Sequence, residues 1–402
     1  MSASILHHIH GINGVKYNST QFNGTSIIIR ANLDQSNELC PRCKSSRLHF
    51  KGSLERQIRM CPTGDKSCWL YLHIRRRKCL ECIHMWWPQP RFISGKRRMT
   101  RSFERYVIRL TCCMTLKDVA IHLGLSWHTV RDIHKDYLRR LYHKPYNFKD
   151  LIHLGIDEFS IGKGHDYMTI FINLDTAQII HAVEGRSREA IIPFLKKISK
   201  KAIYLRAIAM DMSGPYKSAI GEFLPFKAIV FDRFHIMKLI NEAIDQIRRE
   251  QQLLYNEAGY KILKRSRYLL LRNLESLDAS QQSHLKTLLE MNAPLAIAHQ
   301  MKEQMRQFWH QPNKRDAMWF LLNWIWSTEE TQIRPLFKVA RTLLHHSDGL
   351  LNYYDHMITN ATTEGVNNKI KTLKKQAYGY RDMEYFKLRL YHLHAQKTEL
   401  LG

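Results

Sequence analysis

Residues 151–185 read LIHLGIDEFSIGKGHDYMTIFINLDTAQIIHAVEG, and this stretch decides the fold. Three runs rich in Ile, Val, Phe and Tyr, at 152–159, 167–174 and 178–183, are separated by turn residues at 162–164 and 175–177. That pattern predicts three strands joined as hairpins. The first strand ends near Asp157 and Glu158. Neighbouring strand residues point to opposite faces, so only one of these acids can serve a given site. The expected one is Asp157, with Glu158 dispensable.

Downstream, residues 187–199 have helical periodicity, and 203–210 form an apolar strand that runs into Asp211. A helix is expected at 215–223 and a fifth strand at 227–231, ending at Asp232. FHIMKLINEAIDQIRRE then begins a long helix. Three linked strands followed by helix, strand, helix, strand and helix are the order of an α/β, RNase H-like mixed sheet with helices on both faces. Strand signals vanish between 241 and 349, where Leu, Gln, Glu, Arg and Met recur at helical spacing. This reads as an all-helical insertion. Trp319, Leu322 and Trp326 share one helical face while Phe320 and Trp324 lie on another, which predicts a helix buried on several sides. From about Thr362 a last helix has Val366, Ile370, Leu373 and Ala377 on its apolar stripe. Glu364, Asn368, Lys371 and Lys375 lie on the opposite one.

Upstream the character changes. The chain carries 62 Lys and Arg against 36 Asp and Glu, for a net charge of +26. Residues 1–150 hold 27 of the basic residues and 10 of the acidic ones, an excess of 17. Such a balance predicts a polyanionic partner. ELCPRC, with Cys40 and Cys43, and RRRKCLEC, with Cys79 and Cys82, are two Cys-x-x-Cys pairs 35 residues apart. Paired thiolates of this kind suit tetrahedral Zn2+. Cys61 and Cys68 are spare thiols within the loop. Arg75, Arg76 and Arg77 precede the second pair, and Lys96, Arg97 and Arg98 follow it as candidate phosphate contacts. TLKDVAIHLGLSWHTVRDIHKDYL then has a small residue at Ala120, a turn at Gly124, an N-cap at Ser126 and a packed Val130. This is helix-turn-helix spacing. Its second helix would offer Trp127, His128, Thr129, Arg131, His134 and Lys135 to a major groove. No apolar run approaches the roughly twenty residues of a membrane helix, and the N-terminus lacks signal-peptide features, so the expected location is cytoplasmic.

Three acids stand out: Asp157 and Asp211 at strand ends, and Glu364 on a polar helix face. Carboxylates converging on hard divalent cations are what metal-assisted phosphodiester cleavage requires. Asp232 also ends a strand and is the rival for the second position.

The motifs GIDEFSIGKGHDY, AMDMSGPY, VFDRFHIMKLIN and NATTEGVNNKIKTLKKQAYGY resemble those of the ISL-three insertion-sequence transposases, a DDE family with an RNase H-like core. The resemblance covers nearly the whole chain past residue 35. It implies a catalytic triad of Asp157, Asp211 and Glu364 holding Mg2+ or Mn2+, with Asp232 and His235 as an auxiliary Asp-x-x-His pair. It also implies cleavage at element ends and strand transfer into target DNA. Lys371, Lys374, Lys375 and Arg381 would contact phosphates. The expected partners are double-stranded DNA, as terminal inverted repeats and target, and a second copy of the chain, as a homodimer or larger on DNA. The setting implied is a bacterial, nucleoid-associated protein. The expected divisions are an N-terminal segment at 1–35, a zinc-binding domain at 36–90 and a helix-turn-helix domain at 91–145. The first part of the core at 150–240, the helical insertion at 241–349 and the C-terminal core segment at 350–402 follow. Two other functions share these features: a DNA-binding regulator built around the same core, and an RNase H-like nuclease without strand transfer.

Overall fold

The computed structural model describes residues 6–162, 164, 166–257, 263–264, 266–359, 361–377 and 379–394. They divide into two compact units between His143 and Lys144.

The first unit opens with the hairpin β1 (Val15–Asn23) and β2 (Ser26–Leu33), followed by β3 (Leu48–Thr63), β4 (Lys66–Cys79) and β5 (Met85–Trp86). The sheet order is β1-β2-β4-β3, with β5 pairing with the end of β4. On β4, Cys68, Leu70, Leu72 and Ile74 alternate inward and pack against Ile29, Ala31, Ile58 and Met60. Because β2 pairs with β4 along Ser26–Asn32, the expected boundary at 35/36 runs through one sheet. Strands that bury only one face need each other's apolar side, and sequence distance does not limit that pairing.

Three helices follow: α1 (Arg101–Leu110), α2 (Leu116–Leu123) and α3 (Trp127–Leu141). Thr115 and Ser126 cap the last two through their side chains. Gly124 closes α2 at φ 62°, a conformation that costs glycine nothing. Phe103, Val107, Val119, Ala120, Leu123, Val130 and Ile133 form the core of this bundle.

The second unit holds a sheet of β6 (His153–Ser160), β7 (Tyr167–Asn173), β8 (Gln178–Glu184), β9 (Ala207–Met210) and β10 (Ala228–Phe231). The order is β10-β9-β6-β7-β8, with β6, β7 and β8 antiparallel and β6, β9 and β10 parallel. It is the mixed sheet that the element order predicts. One face is covered by α4 (Arg188–Lys201), α5 (Gly214–Phe223) and α6 (Arg233–Glu257), which bury Leu154, Ile156 and Phe171. The other is covered by α14 (Ala361–Ala377) and α15 (Met383–Tyr391), which bury Met168, Ile170 and Ile172. β9 begins four residues later than expected, because Ile203 and Tyr204 lie in an exposed turn.

Between α6 and α14 in the chain come α7 (Arg267–Leu271), α8 (Ala279–Met291), α9 (Ala293–Arg306), α10 (Lys314–Glu330), α11 (Arg334–His345), α12 (Ser347–Leu351) and α13 (Tyr353–His356). Their core is continuous with that of the sheet, since α6 leaves the sheet and supplies Ile240, Ile244 and Ile247 to both. One expectation fails here. α10 buries Ala317, Leu321, Trp324 and Ile325, but Trp319 and Trp326 on the opposite side are 58% and 66% exposed. Helical spacing groups residues by face but does not say how many faces find a neighbour.

Candidate active site and zinc centre

The parallel registers set the acids side by side. Gly155 lies opposite Ala209, and Met210 opposite Phe231. Carried forward, these registers align Asp157, within β6, with Asp211 and Asp232, the residues that follow the C-terminal ends of β9 and β10. Crevices at such strand ends are the usual ligand sites of α/β sheets. Asp232 continues the alignment with its N–H donated to the Met210 carbonyl at 3.1 Å.

His235, in the first turn of α6, joins two of the acids. Its Nδ1 lies 2.9 Å from Asp232 Oδ2 and 2.7 Å from Asp211 Oδ1. One ring nitrogen thus serves two carboxylates, and the buried Asp211 Oδ1 has only this ring nitrogen beside it among the described residues. Burial works against the imidazolium, but the two carboxylates outweigh it and raise His235 to about 9. Asp211, Asp232 and His235 each offer an atom within 4.8 Å of the others. Asp232 thus stands beside Asp211 in the cluster, where the sequence made it an alternative.

Asp157 faces α14. Its Oδ2 accepts a 2.6 Å bond from Asn367 Nδ2, and its Oδ1 accepts the Glu158 N–H at 2.7 Å. Burial, and then the charge of Asp211, raise its carboxyl to about 6. The close approach of α14 depends on Gly155: a Cβ there would stand 2.7 Å from Leu174 Cδ2 and 3.1 Å from Thr363 Oγ1. Glu364 is exposed in the first turn of α14, one helical turn before Asn367, with no ion pair among the described residues. Glu158 faces away, accepting from Tyr216 Oη at 3.2 Å with Arg186 at 3.7 Å. Lys374 donates to the Ser160 carbonyl, while Lys371 and Lys375 are exposed.

The four expected cysteines converge in the first unit. Cys40 and Cys82 Sγ are 3.5 Å apart, as are Cys43 and Cys79 Sγ, and all four sulfurs lie within 4.8 Å. A tetrahedron with Zn–S bonds of about 2.3 Å has edges of about 3.8 Å, so the cluster fits that ion. The two knuckles share one form, with the residue after each pair, Lys44 and Ile83, left-handed at φ 61° and 60°. Burial raises the Cys40 thiol, but N–H groups of Cys43 and Arg42 outweigh it and lower it, while the neighbouring thiols push Cys43 up, so Cys40 is the first of the set to become a thiolate. The 35 residues between the pairs are taken up by the long β3–β4 hairpin. Cys61 and Cys68 lie near its far turn, with Cys68 opposite Met60, so neither joins the cluster.

The basic residues divide. Arg77 is buried, pairs with Glu38 at 2.8 Å and stacks 4.1 Å from the Phe50 ring. Arg97 is held by Glu104 at 2.9 Å and by Asp136, clamping α1 to α3. His134 is buried in the helix bundle. These three are structural, because in each case a carboxylate or an apolar wall meets the side chain before solvent does. Arg75, Lys96, Arg98 and His128 are exposed, and Arg76, Thr129 and Lys135 half-buried. Trp127 is exposed at the start of α3, beneath Arg131 at 5.3 Å.

A family model described as transposase matches residues 154–390. The helix-turn-helix domain of transposase family ISL3 matches 88–138, and the zinc-finger of transposase IS204/IS1001/IS1096/IS1165 matches 36–82. The transposase for insertion sequence element IS1001 of Bordetella parapertussis is 30% identical over 356 residues, 88% of this chain and 87% of that one. The chain belongs to the ISL3 family of transposases.

The transposase is also 22% identical to the transposase for insertion sequence element IS1557 of Mycobacterium tuberculosis, over 85% of this chain and 82% of that one. A solved Drosophila P element transposase strand transfer complex matches 75% of this chain and 92% of that chain, with 13% identity and a TM-score of 0.40. The zinc-finger match contains all four clustered cysteines, which marks the cluster as the transposase's Zn2+ site. The helix-turn-helix match takes in α1, α2 and most of α3, the DNA-binding part of the chain. Among the described residues no helix is long and apolar enough to cross a membrane. Asn367 is the residue that the sequence reading passed over. Its signal is its position three residues after Glu364, which puts the two on neighbouring parts of one helix face.

Proposed function

We propose that this insertion-sequence transposase cuts and joins DNA through Asp157, Asp211 and Glu364, with Asp232 and His235 completing the cluster. The observation that supports this reading most strongly is the convergence of Asp211, Asp232 and His235 within 4.8 Å of one another, in register with Asp157 on the neighbouring strand. Carboxylates held this close repel one another, and a divalent cation satisfies them together. The donors are oxygens, which suits Mg2+ or Mn2+ over softer ions. Asp157, Asp211 and Glu364 would hold such ions, which would supply activation of the attacking oxygen and stabilisation of the leaving one.

The chain's own residues prepare the site. Asn367 orients the Asp157 carboxylate, and the His235 imidazolium offsets the charge of Asp211 and Asp232 while the acids stand without a cation. Glu364 approaches from α14, whose seat on Gly155 sets its distance from the sheet. Terminal-repeat DNA is bound by the zinc-binding and helix-turn-helix regions. Trp127, His128, Thr129, Arg131 and Lys135 read it, and Arg75, Arg76, Lys96 and Arg98 hold phosphates. Lys371 and Lys375 contact the backbone near the acids. Two ends are joined in one reaction, so the assembly on DNA is a dimer or larger, working in the bacterial cytoplasm at the nucleoid.

The test uses a duplex carrying the element's terminal repeat, with a target duplex, in Mg2+ or Mn2+. The wild type cuts the end and joins it to target. Asp157→Asn is expected to retain end binding and lose cutting by a factor of at least roughly 100, the scale of losing one key electrostatic group. Cutting at the wild-type rate would remove Asp157 from the site. Cutting without joining would assign a nuclease.

A further inference from the structure

The exposed side of α10 carries Met318, Trp319, Leu322 and Trp326, at 39%, 58%, 40% and 66% exposure. A contiguous apolar patch on a helix surface marks an interaction site, and tryptophan dominates the energetics of such sites. Arg315 lies at the N-terminal end of the same stripe and Glu330 at the C-terminal end, both exposed. The spacing has a symmetry. Reversal about the midpoint between Leu322 and Asn323 exchanges Arg315 with Glu330 and Trp319 with Trp326. A surface that maps onto itself with opposite charges opposed is what a twofold, isologous contact requires.

We propose that α10 is a self-association surface, on which the same helix of a second copy lies antiparallel. Arg315 of each copy meets Glu330 of the other, and Trp319 packs against Trp326 across the axis. Nucleic acid is the poorer occupant. The stripe ends in Glu330 with Glu329 beside it, and Arg315, the stripe's cation, is 3.8 Å from Asp316. The proposal deepens the dimeric assembly proposed above by naming its surface, but it requires no DNA.

Sedimentation equilibrium of the full zinc-loaded chain, without DNA, tests it. The wild type is expected to form dimers at micromolar concentration. Trp326→Ala should weaken self-association at least tenfold, with an unchanged circular dichroism spectrum because the side chain is exposed. Arg315→Glu and Glu330→Arg should each weaken it several-fold, and the double variant R315E/E330R should restore it. A monomeric wild type at tens of micromolar would overturn this surface while leaving DNA-driven pairing intact. Dimers indifferent to the tryptophan and charge variants would place the contact elsewhere. Loss of DNA binding in Trp326→Ala without a change in association would make the stripe a DNA surface. Failure of the charge swap to restore pairing would overturn the antiparallel arrangement.

Discussion

The zinc cluster and the acid cluster are built in opposite ways. Each cysteine pair lies in one short knuckle, and a single hairpin brings the two knuckles together. Asp211 and Asp232 follow two strands, Asp157 lies within a third, His235 is in the first turn of α6, and Glu364, proposed to join them, is on a helix more than two hundred residues beyond Asp157. The thiolates form a closed set of four that a structural ion fills. In the acid cluster one imidazole ring, that of His235, stands between Asp211 and Asp232. A local site survives changes far away in the chain, whereas a site assembled from a sheet and a distant helix depends on every packing contact between them.

The largest effect expected from this difference is in the first unit. Replacing Cys82 with Ala should abolish stoichiometric zinc and unfold the region around the knuckles. Structural zinc contributes on the order of 10 kcal/mol to small domains of this kind. Zinc content by mass spectrometry of the metal, and proteolysis between residues 36 and 90, report the loss. Retained zinc at one ion per chain would show that three ligands suffice. The second unit should keep its fold, since its core contains no residue of the first.

A smaller effect is expected at Asn367. Asn367→Ala removes the donor to Asp157 Oδ2 and frees the carboxylate to rotate. Cutting should fall by roughly tenfold, about the 1.4 kcal/mol of one charge-assisted hydrogen bond. The loss should be in turnover, with end binding unchanged. An unaltered rate would show that α14 orients Asp157 through packing alone.

The raised carboxyl of Asp157 predicts a stability effect with a definite sign. Its folded value of about 6 exceeds the ordinary 3.8, so the folded state binds the proton more tightly than the unfolded chain. Stability therefore falls as pH rises from about 4 through 6, and the penalty is full above that window. Asp157→Asn should raise the melting temperature at pH 8 without added divalent ions, by an amount worth roughly 1–3 kcal/mol. The gain should vanish near pH 4. A variant less stable at pH 8 would mean that the carboxylate is held by favourable partners. The smallest effect belongs to Glu158→Gln. That side chain faces Tyr216 and Arg186 on the other side of the strand. Cutting should stay within about twofold, with a stability change of less than about 1 kcal/mol because the ion pair is partly exposed. A large loss of cutting would reverse the assignment of faces.

Much of this was legible in the residues. The strand runs at 152–183, the caps at Thr115 and Ser126 and the two Cys-x-x-Cys pairs are local patterns, set by periodicity and by the backbone chemistry of a few neighbouring residues. They determined the element order, the helix-turn-helix and the zinc ligands. The family resemblance supplied the long-range grouping of Asp157, Asp211 and Glu364.

Only the tertiary structure could decide what each side chain meets. Parallel register put Asp232 beside Asp211, because strand alignment depends on sheet pairing and no local pattern encodes it. The fit of α14 over Gly155 brought Asn367 to Asp157. Arg77 and Arg97 left the list of phosphate contacts once Glu38, Glu104 and Asp136 were found against them. Trp319 and Trp326 look like core residues by type but stand in solvent, since among the described residues no helix covers that side of α10. Sequence determines what a residue can do and which face it shares. Burial and partnership belong to segments that meet only after the chain has folded, and those decide whether it is a ligand, a clamp or a surface.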